Sequence, residues 1–147
     1  MKMKTHIPMD DEYTALLGQA VYSFSYYEWT IIYILDHLDN GFVSRYCRGK
    51  PLSSGGVLGK FDEILVNNDN ATLLKCRNDF ALLKEERNAL IHAHPITSDE
   101  GKQILNYQAS IKKDIHDLQW KAEKIVEFIH KVNDAEIEAA HILDSYR

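Results

Sequence analysis

The sequence predicts an all-α protein, an up-and-down bundle of four to five helices forming one domain over residues 1–147 with its core in 10–146. Two observations carry this. Apolar residues recur at steps of three and four over long segments near 10–39, 71–93 and 112–146. Seven glycines and three prolines in 147 residues leave little material for turns, which favours a few long elements. A composition of 45% hydrophobic and 27% charged residues suits one sizeable core.

The first helix is expected over Asp10–Asp39. Tyr13, Leu17, Ala20, Val21, Phe24, Ile31, Ile32, Leu35 and Leu38 trace its stripe, the acidic residues Asp10, Asp11 and Glu12 favour its start, and Gly41 stops it. Tyr26, Tyr27 and Trp29 widen the apolar surface, as a subunit interface would. Residues 40–57, with four glycines and a proline, read as a loop. Ser53 or Ser54 caps a short helix over Val57–Val66, and Asn70 caps the next, Ala71–Ala93. Pro95 ends that helix by biasing His94 away from helical geometry. Residues 95–111 are irregular, with an extended piece at Gln103–Tyr107. A long amphipathic helix follows over Lys112–Tyr146, carried by Ile115, Leu118, Ala122, Ile125, Ile129, Val132, Ala140 and Leu143, with Asn133–Asp134 its weak point.

A net charge of −5 excludes a protein that binds nucleic acid through its overall charge. Any such contact must be local. Arg45, Arg48, Lys50 and Lys60 lie in a stretch without an acidic residue from Asn40 to Phe61, the best candidate for substrate-binding contacts to a nucleic-acid backbone. Gly55-Gly56-x-x-Gly59-Lys60 is not a phosphate loop, since Phe61 stands where Ser or Thr is needed. Cys47 and Cys76 have no metal-ligand spacing and are expected as reduced thiols. The N-terminal MKMKTHIPMDDEY lacks the apolar run of a secretion signal, so a cytoplasmic protein without membrane contact is expected. No metal and no cofactor is expected: His92 and His94 stand about 200° apart on a helix and no further ligand cluster joins them.

The most informative stretch is Glu85-Glu86-Arg87-Asn88-Ala89-Leu90-Ile91-His92-Ala93-His94-Pro95. Histidine moves protons near neutral pH, and the arginine fork matches phosphate oxygens. Together they suit cleavage of RNA by its own 2′-hydroxyl, which needs a proton acceptor and a cation beside the phosphate. Asn88 lies one turn before His92 and is placed to fix its tautomer. Arg87 and His92 are about 140° apart around an ideal helix, so they converge only through Arg's long stem, a loosened last turn or a second subunit. The opposing interpretation is that Arg87 pairs with a Glu or a carbonyl and His92 caps the helix C-terminus.

Arg87-Asn88-x-x-x-His92, near the end of an inner helix of a small helical protein, resembles the R-x(4–6)-H signature of HEPN domains. The resemblance implies a HEPN-like fold and a homodimer whose two motifs face each other, forming a metal-independent endoribonuclease site for RNA. In it Arg87 would grip phosphate, His92 would handle protons and Asn88 would orient the site. Such proteins often serve in toxin–antitoxin or antiphage systems, which makes an antitoxin or a nucleotidyltransferase the further expected partner. The pattern R-x(4)-H-x-Y, whose Tyr is modified by a nucleotidyltransferase, is broken here by His94. A non-catalytic HEPN-like module binding a nucleotide, RNA or a partner protein is the alternative. A third is a partner protein held by the last helix, whose Lys112, Lys113, Lys121 and Lys124 stand against Asp114, Asp117, Glu123 and Glu127.

Overall fold

The structure is a computed structural model that describes residues 6–108 and 118–147. Among these, the chain forms α1 (Asp11–Leu38), α2 (Phe42–Tyr46), α3 (Ser54–Leu65), α4 (Ala71–Ile91), β1 (His94–Thr97), β2 (Gln103–Tyr107), β3 (Leu118–Trp120) and α5 (Ala122–Ser145). The helical bundle is as the periodicity predicts, but a three-stranded antiparallel sheet in the order β1-β2-β3 is added to it. The fold is therefore mostly helical rather than purely so.

Local chemistry sets the helix starts. The Asp10 carboxylate accepts from the Tyr13 amide at 2.8 Å, and Asn70 Oδ1 accepts from the Thr72 and Leu73 amides at 2.9 and 3.2 Å. Ser53 is the residue that caps α3, its hydroxyl accepting from the Gly56 amide at 3.1 Å. Ser54 is the first helical residue and is turned inward and buried. The segment read as a loop contains α2, which Gly41 opens with φ +88°, a left-handed conformation that costs glycine little.

α1 packs chiefly along α5, while α4 packs between α3 and α5. Tyr27, Phe42, Phe61, Phe80, Trp120 and Phe128 are fully buried, each contributing about 1.5–3 kcal/mol by leaving water. The sheet joins this core through Tyr13, whose hydroxyl donates to the Trp120 carbonyl at 2.6 Å and accepts from the Leu105 amide at 2.9 Å. Pro95 sits on the outer strand, where its missing N–H costs no ladder bond.

Three expectations are corrected. His94 is a strand residue paired with Asn106, not part of a loop. α4 ends at Ile91 with His92 as its cap. The last helix begins at Ala122: Leu118–Trp120 is a strand because it pairs with β2 and buries Trp120 against Phe128, their rings 5.9 Å apart. Ile115 and the Lys112 start lie outside the described residues, and α5 runs unbroken through Asn133–Asp134. No helix among the described residues is long and apolar enough to cross a membrane.

Candidate functional site

The buried stripe of α4 explains the position of Arg87. Leu73, Cys76, Phe80, Leu83 and Leu90 are its buried residues, and with Arg87 they form an unbroken series of three- and four-residue steps. Arg87 thus occupies a core position of a packed helix. Its guanidinium lies 4.8 Å over the Phe24 ring of α1, a cation–π contact. Its Nη2 donates to the hydroxyl of Ser54 at the start of α3, and that hydroxyl donates in turn to Glu28 of α1. One serine thereby joins a cation and an anion from two other helices at the junction of α1, α3 and α4. The Arg87 Nε is buried without a hydrogen-bond partner among the described residues. Arg87 does pair inward toward a Glu, with Ser54 between them.

His92 lies elsewhere. It is exposed, caps the C-terminus of α4, and its amide donates to the Asn88 carbonyl at 3.0 Å. Among the described residues no side-chain bond joins Asn88 to His92, so the expected tautomer-fixing contact is not formed. Both side chains line a groove of about 840 Å³ between α4 and α5, closed at one end by Tyr107 and Leu118. Arg87 is not among its lining residues. Within the chain the motif therefore divides, with Arg87 facing the α1–α3 junction and Asn88 and His92 facing the α5 groove.

The charge of that groove is the feature the sequence did not announce. Among the described residues, Asp79, Glu85, Glu86, Asp134 and Glu138 line it against only Lys75 and Lys131. Both lysines are already engaged. Lys75 pairs with Asp79 at 2.9 Å and Glu138 at 2.7 Å, and Lys131 with Glu86 at 3.0 Å and Glu127 at 3.7 Å. Hydrogen bonds to Glu138 and then Asp79 hold the Lys75 ammonium above its usual range. A smaller cavity of about 430 Å³ continues along the same two helices, bordered by Tyr27, Cys76 and Glu138. Burial, reinforced by Asp79 and Glu138, pushes the Cys76 thiol up to about 12. Burial also raises the Tyr27 phenol, whose hydroxyl has no partner among the described residues. Both cysteines are free.

The four basic residues divide similarly. Arg45 pairs with Asp39 at 2.6 Å, and Lys60 lies 4.7 Å over the Tyr46 ring while pairing with Glu63 at 3.2 Å. Arg48 and Lys50 are exposed and have no ion pair among the described residues. They stand in the segment leading into Ser53 and Ser54.

The aromatic surface expected at a subunit contact is confined to the outer face of α1. Tyr22, Tyr26 and Tyr33 are exposed and Trp29 half-exposed, whereas Tyr27 belongs to the core. On a helical wheel these four outer residues fall within about 60° of one another, opposite Phe24 and Ile31. A contact made through them would leave the two Arg87 junctions apart. No family model matches this sequence, and no curated protein or solved structure matches it.

Proposed function

We propose that this chain is a metal-independent endoribonuclease of the HEPN type, working as a homodimer. The observation that carries the reading is the exposed His92 at the end of α4, five residues beyond a guanidinium fixed in the bundle. His92 takes the proton of a ribose 2′-hydroxyl as its oxygen attacks the adjacent phosphorus. The bond to the 5′-oxygen breaks, leaving a 2′,3′-cyclic phosphate and a 5′-hydroxyl. The second copy's motif supplies the proton to the leaving oxygen. Arg87 fixes α4 at the junction of three helices, while the exposed Arg48 and Lys50 contact the RNA backbone. As such, a role in a toxin–antitoxin or antiphage system is part of the same proposal.

The test is cleavage of mixed-sequence RNA in the presence of a chelator, with the product ends read by their sensitivity to phosphatase before and after acid. Wild type should cleave and leave cyclic phosphate. His92→Ala should cleave at least a hundredfold more slowly while keeping its helical circular dichroism. Undiminished cleavage by that variant rejects the assignment. The carboxylate-lined groove beside His92 favours a second reading, a non-catalytic HEPN-like module that binds a partner protein. On that reading wild type itself does not cleave.

A further inference from the structure

We infer that the groove between α4 and α5 docks a basic amphipathic helix of a partner protein. The groove has an apolar floor of Leu83, Ala89, Leu118 and Ala135, and Leu82 stands at its lip with 69% of its surface exposed. Its walls carry five carboxylates against two lysines already paired within them. One Glu86 oxygen is buried without a partner among the described residues, and Asp134 has no ion pair among them. From Lys75 to His92 the α4 wall runs about 25 Å, at about 1.5 Å per residue, which matches four to five turns of an incoming helix.

Charge selects the occupant. A phosphate backbone laid along the groove from Lys75 to Glu86 meets carboxylates from both helices and, among the described residues, only paired lysines, so RNA is disfavoured along that length and His92 stands exposed at its sheet end. A helix with leucines on one stripe and lysines or arginines on its flanks satisfies both floor and walls, the groove mode of helix recognition. Such a partner brings the cation that Asp134 lacks among the described residues. Seated at the groove's sheet end, it also covers His92 and Asn88; on the ribonuclease reading, and only on it, that occupant is an inhibitor.

The experiment uses a synthetic 18-residue helical peptide with leucines at i, i+4, i+7 and i+11 and lysines flanking them. Its binding to the full-length His92→Ala protein is read by fluorescence anisotropy, so the result does not depend on any cleavage. The lysine peptide should bind and weaken at least tenfold between 50 and 300 mM salt, and an isosteric glutamate peptide should not bind. Asp134→Lys/Glu138→Lys, two exposed positions, should weaken the lysine peptide at least tenfold with the thermal midpoint retained. Leu82→Asp should do the same through the apolar lip. Absence of binding, equal binding of both peptides, or binding indifferent to these changes overturns the proposal. If wild type fails to bind while Lys112→Glu/Lys113→Glu binds, the groove serves the chain's own residues, and the partner is likewise overturned.

Discussion

Consecutive residues of α4 face two different environments. Arg87 points into the junction of three helices, its charge absorbed by Ser54, Glu28 and the Phe24 ring. Asn88 points into an open groove between α4 and α5. The first environment is closed, specific in geometry and costly to disturb, because removing one member strands the others away from water. The second is wide and strongly charged, and most of its polar groups are exposed. Residues adjacent in a motif can therefore have separate physical roles, one holding the scaffold and one meeting a ligand.

Breaking the closed side should give the largest effect. Arg87→Met keeps the length and apolar contact of the side chain but removes the cation, leaving the half-buried Glu28 facing the buried Ser54. A loss of about 2–3 kcal/mol is expected, below the cost for a fully buried pair because Arg87 is only half-buried. For a chain of this length that corresponds to a fall in Tm of roughly 6–10 °C, measured by calorimetry. A midpoint unchanged within about 1 °C would mean the junction contributes nothing to the fold.

Removing the charge while keeping the shape should cost less. Glu28→Gln still accepts from the Ser54 hydroxyl but leaves Arg87 without a nearby anion, and about 1 kcal/mol is expected. The double-mutant cycle sharpens the point. In the Arg87→Met background, Glu28→Gln should be neutral or stabilising, because the carboxylate no longer has a cation to serve. Additive losses would show that the serine does not couple the two groups.

The helices were largely legible in the sequence because local rules govern them. Asn70 caps α4 as its side chain predicts, the acidic start of α1 falls where expected with Asp10 as its cap, and the stripe of α1 reads directly from its spacing. Two things were less visible. The sheet depends on pairing between residues distant in sequence: Leu118–Trp120 is apolar enough to extend a helical pattern, and only its ladder with β2 and the buried Trp120 decide otherwise. The Arg87 environment was visible in principle. A charged residue at a core step of Leu73, Cys76, Phe80, Leu83 and Leu90 signals a buried partner, and Glu28 lies at the edge of the corresponding stripe on α1. The motif spacing groups Arg87 with His92, whereas the core steps group it with Leu83 and Leu90. The acidity of the groove could not be read at all, since its carboxylates come from two helices whose pairing only the fold supplies.

The smallest effect belongs to the open side. Asn88→Ala removes a half-exposed amide whose side chain bonds nothing among the described residues, while its carbonyl still accepts the His92 amide that closes the helix. Alanine also favours the helix by a few tenths of a kcal/mol. The two contributions nearly cancel, so stability should stay within about 0.5 kcal/mol of wild type. His92→Ala should behave likewise, since His92 is exposed and its backbone amide still caps the helix. Chemical denaturation with the slope held constant resolves such differences. A loss above about 1.5 kcal/mol at Asn88 would place it in the packed scaffold beside Arg87, and the division of α4 into a structural and a ligand-facing side would fail.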